Sequence, residues 1–286
     1  MKFNTLLHLP LAASAVIAAA SLLPQSAQAD ENMFGYVYGA DTLPKGKWEV
    51  YNWTTWRHSK DVGEYDAFDI QFEAEYGITD HFQTSTYIMF DLRDQSGLDP
   101  EEYKDLNQFE FDGLKQSFKY NVLSTYKDAF GLSFYVEPGW SRFHKVTGER
   151  IDEFELETKV IIQKNFLDDT LIWALNLTPE FEWYFPDESS TETEFVFETT
   201  TGLSYRFIEN WYAGVEVRYH TEFPEYGAQE HQAIFVGPNI HYGGEKWWFT
   251  LTWLPQIWGE PNEEGSHRHF GEHEKSELRL KVGYNF

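Results

Sequence analysis

The sequence contains no cysteine among its 286 residues. A disulfide scaffold, a thiolate metal site and a cysteine nucleophile are therefore excluded. Basic residues are few, because 22 Lys and Arg stand against 47 Asp and Glu and give a formal net charge of −25. Such a charge argues against nucleic acid or an anionic membrane surface as a partner.

Long apolar runs are also absent beyond residue 23. A transmembrane helix needs roughly 20 apolar residues in succession, and the mean hydropathy of this chain is −0.52. A bundle of membrane-spanning helices is therefore excluded. Aromatic residues are abundant instead: 11 Trp, 17 Tyr and 24 Phe make up 18% of a chain that is polar on average.

The first 29 residues have the pattern of a secretory signal peptide. Lys2 precedes an apolar stretch at residues 6–23, and the segment ends in Ala27-Gln28-Ala29. A basic start, an apolar middle and a small-x-small end are the features of such a peptide. We expect cleavage after Ala29 and export from the cytoplasm; the alternative is an uncleaved membrane anchor.

The rest of the chain alternates between apolar and polar residues. From Phe68 to Tyr76, apolar residues at even positions alternate with Asp69, Gln71, Glu73 and Glu75. Successive side chains of a strand point to opposite faces, so this pattern indicates a two-faced strand. Twelve segments have the pattern, beginning with residues 48–57 and ending with residues 278–286.

The connections between these segments alternate in length. Short ones fall at residues 77–81, 123–128, 165–170, 207–210 and 243–246; long ones fall at residues 58–65, 92–108, 142–150, 186–192, 221–230 and 256–275. An even number of strands, joined in turn by short and long connections, is typical of outer-membrane barrels. We predict an all-β fold, a single 12-stranded antiparallel transmembrane β-barrel at residues 48–286, with short periplasmic turns and long extracellular loops.

A secreted β-sandwich would alternate in the same way. Its buried face would be rich in Val, Ile and Leu, whereas here aromatic residues cluster near the short turns. They are Tyr76, Phe82, Phe130, Trp173, Tyr205, Trp211, Tyr242, Trp247 and Tyr284. A girdle of rings at a membrane interface has this distribution, so the barrel is favoured over the sandwich.

Several stretches resemble a known but uncharacterised family. They include residues 34–40, 42–46, 75–80 and 163–166, and the most distinctive is residues 237–248, which contains Gly237-Pro238-Asn239. The chain is similar over residues 34–286 to a domain-of-unknown-function family of porin-like Gram-negative outer-membrane β-barrel proteins. The resemblance implies the fold and the cell outer membrane as location, and it implies no substrate and no catalytic residue.

If the apolar face meets lipid, the other face lines the lumen and carries more acids than bases. The predicted lumen-lining acids are Asp69, Glu73, Glu75, Glu137, Glu155, Glu157, Glu180, Glu182, Glu198, Glu216 and Glu277. The predicted lumen-lining bases are Lys115, Lys119, Lys159, Arg218, Arg279 and Lys281. Oppositely charged walls orient small polar solutes, and an acidic excess favours cations.

The charge pattern predicts a passive pore for small polar or cationic solutes, with Glu155, Glu157, Glu180, Glu182 and Glu216 setting the cation preference. Two alternatives remain open. In the first, paired charges fill a narrow barrel that is structural or adhesive; in the second, the barrel is a lipid-modifying enzyme. The sequence has no His-x-Ser-Asn motif, and Ser141 and His144 are near each other without an evident third member. We therefore expect no catalytic residue.

Three connections are candidates for metal binding. His267, His269 and His273 lie in the last long connection, and imidazole suits Zn, Cu or Ni. Acidic connections at residues 94–105 and 187–194 are candidates for loop-bound divalent cations that bridge lipopolysaccharide phosphates. Hydrated polar loops are the alternative in all three cases, and no other cofactor is expected.

Residues 30–47 precede the first strand and contain Gly35, Gly39, Pro44 and Gly46. This segment either crosses the periplasmic mouth or forms a partial plug. The expected partners are outer-membrane lipids, lipopolysaccharide, small polar solutes and the barrel-assembly machinery, which would recognise the terminal Phe286.

Overall fold

The structure is a computed structural model that describes residues 32–186, 190–261 and 267–286. The predicted signal peptide at residues 1–29 lies outside the described residues. Parts of two candidate cation sites, residues 187–189 and Ser266, lie outside them as well.

Twelve strands follow one another along the chain. They are β1 (Trp48–His58), β2 (Glu64–Thr79), β3 (Phe82–Ser96), β4 (Leu106–Leu123), β5 (Gly131–Phe143), β6 (Arg150–Phe166), β7 (Leu171–Phe185), β8 (Glu192–Ile208), β9 (Trp211–Pro224), β10 (His231–Gly243), β11 (Trp247–Glu260) and β12 (Ser276–Asn285). Each pairs antiparallel with the next in sequence. β1 also pairs with β12, from Glu49 opposite Asn285 to His58 opposite Ser276, which closes the barrel.

The predicted fold class is confirmed: the chain is a closed, 12-stranded, antiparallel barrel. Closure leaves no strand edge without a partner, which is the condition for a sheet to exist within lipid. No helix in the described residues is long and apolar enough to cross a membrane.

The barrel has two different ends. At the turn end, the strands are joined by residues 80–81, 124–130, 167–170, 209–210 and 244–246, and both β1 begins and β12 ends there. The loop end carries loop 1 (residues 59–63), loop 2 (97–105), loop 3 (144–149), loop 4 (186–191), loop 5 (225–230) and loop 6 (261–275).

All six loops are shorter than the sequence predicts, because the strands continue beyond the apolar stretch. β3 runs to Ser96, and β4 begins at Leu106 rather than near residue 109. Asp94 pairs with Asn107 and Gln95 with Leu106. The polar residues here had indicated a loop, but a strand that leaves the bilayer keeps its ladder in water and no longer needs an apolar face.

The distribution of side chains is the inverse of that in a soluble protein. Outward residues such as Ile88, Phe134 and Leu251 are exposed, whereas inward residues such as Glu73, Lys119 and Lys281 are buried. Exposed apolar area on this scale is typical of contact with lipid.

The few polar residues on the outer face hydrogen-bond locally. The Oγ1 atoms of Thr84, Thr158 and Thr201 donate to the carbonyl oxygens of Ser117, Pro179 and Ala174 at 2.8, 3.1 and 2.8 Å. A hydroxyl facing hydrocarbon has no water as partner, so a bond to the neighbouring strand's backbone removes most of the cost of its exposure there.

Aromatic rings form a band at each end of the outer surface. At the turn end, Trp48 packs against Tyr76 with ring centroids 4.6 Å apart, and Trp247 contacts Tyr284 at 4.8 Å. At the loop end, Phe154 lies 5.6 Å from Trp183. The sequence predicted only the band near the short turns; the second band follows from the longer strands.

Candidate functional site

The N-terminal segment (residues 32–47) lies inside the barrel at the turn end. Asn32 accepts a hydrogen bond from Thr250 of β11 through its carbonyl oxygen, at 2.6 Å. Further along, the backbone amide of Leu43 donates to Gln83 of β3 at 2.7 Å, and Gly46 donates to Gly77 of β2 at 2.8 Å. The segment thus follows the inner wall from β11 round to β2 before it enters β1.

The strongest attachment of this segment is to Glu216 of β9, which is fully buried. Its two carboxylate oxygens each accept a backbone amide, from Gly35 and from Tyr36, at 2.8 Å. Thr252 and Asn239 donate to the same carboxylate at 2.7 and 3.0 Å. Four donors around one carboxylate make a charge-assisted set, which is stronger than the same number of neutral bonds.

The middle of the segment is held by side-chain amides. Asn176 of β7 binds Tyr38 twice, accepting from its amide at 2.6 Å and donating to its carbonyl at 3.0 Å. Gln163 of β6 accepts the amide of Ala40 at 2.8 Å, and Asn121 of β4 donates to the Ala40 carbonyl at 2.8 Å. These amides supply the partners that strand pairing would give to a chain outside the sheet.

Apolar residues of the segment pack on the wall of β7 and β8. Phe34 and Val37 form a buried cluster with Ile172 and Ala174. Gly202 of β8 allows this approach, because a Cβ there would lie 2.6 Å from the Phe34 ring. The segment therefore occupies the lumen as a packed plug, which the sequence had left undecided.

At the loop end, loops fold over the mouth. Lys60 of loop 1 donates through Nζ to the carbonyl oxygens of Gly271 and Glu272 in loop 6, at 2.8 and 2.6 Å. Tyr103 of loop 2 donates to the same Gly271 carbonyl at 2.9 Å. Burial lowers the pKa of Lys60 to about 8, with the carboxylates of Glu274 and Glu272 opposing this effect.

Between plug and loops lies a cavity of about 130 Å³. Nine carboxylates and five basic groups line it among the described residues, together with Tyr36, Tyr38, Trp53 and Phe143. The carboxylates are Asp69, Asp91, Asp112, Glu137, Glu153, Glu155, Glu157, Glu180 and Glu198, and the basic groups are Lys115, Lys145, Lys159, Arg218 and Arg279. Its wall is therefore charged on most sides, with an acidic excess.

Ion pairs neutralise part of this wall. Lys115 binds Glu155 and lies 3.4 Å from Glu137, and Lys159 binds Glu157. Arg218 bridges Glu198 and Glu277 at 2.6 and 2.8 Å. In the described part of the chain, no Lys or Arg lies within ion-pair distance of Glu153 or Glu180. Negative charge is thus left over on β6 and β7.

These strands place carboxylates directly opposite one another. Glu155 pairs across strands with Glu182, Glu157 pairs with Glu180, and Glu137 pairs with Glu157. Like charges in this position repel and destabilise a sheet. Lys145 enters the cavity from loop 3. Burial is the largest effect on its pKa and lowers it, but the surrounding carboxylates, with Glu180 first among them, together outweigh burial, and the net shift is upward.

One carboxylate oxygen from each of Glu153, Glu155 and Glu182 lies within 4.8 Å of the others, a spacing that suits a shared cation. The ammonium of Lys115 already supplies a positive charge at Glu155. The Lys115 ammonium therefore already provides the positive charge that a bound cation would bring to this cluster.

All seventeen residues predicted to line the lumen point inward, but they lie in different places. Ten of them border the cavity: Asp69, Glu137, Glu155, Glu157, Glu180, Glu198, Lys115, Lys159, Arg218 and Arg279. The other seven are outside its wall: Glu73, Glu75, Glu182, Glu216, Glu277, Lys119 and Lys281. Lys119 donates to the Asp41 carbonyl at 2.5 Å and, like Glu216, contacts the plug rather than a solute path.

The structure also separates the three predicted metal-ligand histidines. His269 and His273 turn inward, with ring centroids 6.0 Å apart, whereas His267 is exposed. Ser141 and His144 have separate partners: Ser141 donates to Glu153 at 3.1 Å, and His144 accepts the amide of Thr147 at 3.2 Å.

Sequence reasoning missed four acidic or basic members of the cavity wall. Asp91 and Glu153 lie in strand extensions, Asp112 adjoins a register shift between β3 and β4, and Lys145 is a loop residue. Strict alternation carried beyond the apolar stretch would have placed Glu153 beside Glu155. Nothing in the local sequence shows that loop 3 enters the lumen.

Comparison with known proteins agrees with this architecture. Residues 26–286 match the sequence profile of a family of unknown function, DUF6662. The chain belongs to this family. No curated protein matches the sequence.

Among solved structures, the COG4313 outer membrane channel from Pseudomonas putida F1 is similar with a TM-score of 0.58 and 14% identity, over 86% of this chain and 98% of that one. The translocator domain of the autotransporter NalP from Neisseria meningitidis is similar with a TM-score of 0.50 and 10% identity, over 87% and 91% of the two chains. The NanC porin aligns with a TM-score of 0.45 and 10% identity, over 84% and 98%. At these identities the DUF6662 chain shares a fold with outer-membrane barrels, and a shared fold does not determine function.

Proposed function

We propose that this DUF6662 protein is an outer-membrane channel for small polar or cationic solutes and that the structure represents its closed conformation. The observation that carries the proposal is the interior cavity, where nine carboxylates outnumber five basic groups between the plug and the loops. Buried charge without equal countercharge is costly, and it attracts cations to the path they would take. The apolar outer face supports a position in the outer membrane.

The plug is the gate in this proposal. It is held mainly by side-chain hydrogen bonds, such as those of Asn176 and Glu216, and not by pairing into the barrel sheet. Each ordinary hydrogen bond contributes roughly 0.5–1.5 kcal/mol net, and each bond to the Glu216 carboxylate roughly 1.5–3 kcal/mol. The segment can therefore leave the wall while all twelve strand pairs stay intact.

A specific observation favours a second candidate, a barrel that never conducts. The plug packs Phe34 and Val37 into a buried cluster, and loops 1, 2 and 6 bond to one another over the other end. A structural barrel would have both features. The test must therefore ask whether moving the plug opens a path.

Planar-bilayer recording of the mature protein and of a variant lacking residues 32–45 makes this test. We expect rare, brief openings from the wild type and steady conductance from the deletion variant. Altered migration of unheated samples on SDS gels, the usual mark of a folded barrel, serves as the folding control. A folded deletion variant without conductance would contradict the channel and favour the structural barrel.

A second variant keeps the barrel complete. Thr125 of the β4–β5 turn donates to Asp41 of the plug at 2.8 Å, so Asp41→Cys with Thr125→Cys places a disulfide across this contact. The wild type has no cysteine to compete. We expect oxidation to abolish the openings and reduction to restore them, with each single cysteine variant unaffected by either treatment. Equal conductance of the oxidised and reduced protein would exclude the plug as the gate.

A further inference from the structure

Four histidines lie close together at the loop end. One of them, His220, also borders the cavity, and the other three lie outside its wall. His231 begins β10, His220 lies in β9, and His269 and His273 belong to loop 6. The rings of His231, His269 and His273 form a triangle with centroid separations of 4.7, 5.8 and 6.0 Å. Sequence alone placed His269 and His273 in one loop but could not bring His231 to them, because it lies 42 residues before His273.

The closest contact in this group joins two ring nitrogens. Nδ1 of His231 lies 2.9 Å from Nε2 of His273, and both side chains are buried. On its other side, Nε2 of His231 lies 2.9 Å from a carboxylate oxygen of Glu222. That carboxylate accepts the Nε2 proton, which leaves the lone pair of His231 on Nδ1, directed at His273.

The contact between His231 and Glu222 is of the kind that metal-binding histidines make with their second ring nitrogen. A histidine ligand almost always donates its second ring proton to a carboxylate or carbonyl, which fixes the tautomer and the direction of the lone pair. Glu222 performs that task for His231. His220 differs, because Glu222 lies 2.5 Å from its Nε2, and its Nδ1 is 3.3 Å from the Arg218 guanidinium. His220 is therefore a neighbour of the group and not one of the ligands.

His269 supplies the independent observation. Its Nε2 atom is buried and has no hydrogen-bond partner among the described residues. Its backbone is fixed by Gln256 of β11, which accepts the His269 amide at 2.8 Å and donates to the His269 carbonyl at 2.7 Å. A held residue whose buried nitrogen has no protein partner keeps that nitrogen available to bind an ion.

We propose that His231, His269 and His273 bind one divalent transition-metal ion, of the Zn²⁺, Cu²⁺ or Ni²⁺ class, with Glu222 orienting His231. Three imidazoles bound to one ion at about 2.0–2.1 Å have ring centroids about 5 Å apart, and the centroids described here are within about 1 Å of that spacing. The ring nitrogens of all three do not lie within 4.8 Å of one another, so the His269 ring has to turn toward the other two when the ion binds. On binding, the proton of neutral His273 shifts from Nε2 to Nδ1, and both facing lone pairs bind the ion. The metal then ties loop 6 to β10 across the mouth.

The charges around the group permit a cation. Glu222, Glu272 and Glu274 bring negative charge, and Lys60 and Arg218 bring positive charge. Both positive groups are engaged: Lys60 binds two loop carbonyls, and Arg218 binds Glu198 and Glu277. The proposal does not rest on the channel function, because the ion would bind equally in a barrel that does not conduct.

Isothermal titration of the tag-free, folded mature protein in detergent with Zn²⁺ and with Ni²⁺ tests the site. We expect one equivalent to bind, and binding to weaken at least tenfold in His231→Ala, His269→Ala and His273→Ala. Glu222→Gln should weaken it about tenfold, as loss of an orienting carboxylate does. X-ray absorption of the loaded protein should show three nitrogen ligands at about 2.0–2.1 Å.

His267→Ala is the matched control, since His267 lies in the same loop but is exposed, and it should bind metal as the wild type does. Gel migration of unheated samples shows that each variant is folded. The proposal is overturned if the wild type takes up no metal. It is overturned equally if His267→Ala loses as much affinity as His269→Ala, which would indicate surface binding by any loop histidine.

Discussion

Glu216 shows how much of the plug depends on one side chain. It is the residue on which two strands and the N-terminal segment converge, through the amides of Gly35 and Tyr36 and the side chains of Thr252 and Asn239. A carboxylate accepts all four donors, whereas a glutamine amide would turn two of its own hydrogens toward them.

We therefore expect Glu216→Gln to loosen the plug while the barrel stays closed. Hydrogen bonds to charged groups contribute roughly 1.5–3 kcal/mol each, so loss of one of the two amide bonds should speed hydrogen exchange at Gly35 and Tyr36 at least about tenfold. Exchange measured by mass spectrometry on peptides from this segment provides the readout.

The control for this prediction is Glu153→Gln. Glu153 also points inward, but its carboxylate accepts from Ser141 and not from the plug. It should leave exchange at residues 35 and 36 unchanged. Equal acceleration in both variants would mean that any lost interior charge loosens the segment, and Glu216 would have no special role.

At the scale of the element, alternation predicted the strands well because it is a local signal. Lipid on one side and charge on the other impose a period of two, and the faces of Asp69, Glu137 and Glu198 could be read directly. The strand extensions to Ser96 and Glu260 were missed, because outside the bilayer the apolar half of that signal disappears.

The plug and the histidine group could not be predicted in the same way. Tyr38 meets Asn176 across 138 positions, and His231 meets His273 across 42. Such contacts depend on the curvature of the closed barrel, which brings distant strands round a common axis. The sequence shows that residues 36–38 need burial but not where that burial is found.

Loop 3 offers an element whose order should depend on pH. Its carbonyls accept hydrogen bonds from Arg57, Arg93 and Gln95 of the wall. His144 begins the loop, and burial lowers the pKa of its imidazole to about 4, an effect that the Glu222 carboxylate opposes and the Arg93 guanidinium reinforces. Tyr184 packs against the ring at 5.1 Å, and Glu149 and Arg57 also act on it.

The direction of the pH effect follows from proton counting. An unfolded loop has a histidine pKa near 6.5 and binds more protons than the folded loop between about pH 4 and 6.5. The contribution of neutral His144 to the stability of the folded loop is fully present above pH 6.5. It falls by up to about 3 kcal/mol as the pH drops to 4. Limited proteolysis at loop 3 should therefore accelerate over this range.

His144→Asn separates the effect of the histidine from that of the carboxylates that titrate nearby. Its Oδ1 takes the position of Nδ1 and can still accept the Thr147 amide, but it takes up no proton. We expect cleavage of this variant to rise much less between pH 6.5 and 4. An equally steep rise would show that loop 3 responds to the carboxylates and not to His144.

At the scale of the whole molecule, the charge of −25 is divided between hydrated loops and a cavity. In the proposed channel, the charge of the cavity acts on a passing ion, because the barrel wall keeps other counterions away. Asp112, Glu153 and Glu180 are the carboxylates of that wall without a Lys or Arg at ion-pair distance in the described residues, and Glu153 and Glu180 lie on the neighbouring strands β6 and β7. In a water-filled lumen, Glu153 and Glu180 should therefore act on a passing ion without a neighbouring cation to offset their charge.

Replacing both with glutamine should reduce selectivity for cations. A unit charge about 8 Å from an ion in a water-filled lumen contributes about 0.5 kcal/mol, so loss of two lowers the cation-to-anion permeability ratio at least about fivefold. Reversal potentials in a salt gradient give this ratio, measured on the variant without residues 32–45, in which we expect steady current.

Asp168→Asn with Asp169→Asn removes the same charge from the exposed β6–β7 turn. Both residues have positive φ values, 52° and 58°, which asparagine adopts readily. Because a Debye length of about 8–10 Å screens exposed charge at physiological salt, this control should leave the reversal potential unchanged. If instead both double variants shift it equally, selectivity comes from surface potential at the mouth, and the cavity carboxylates do not set it.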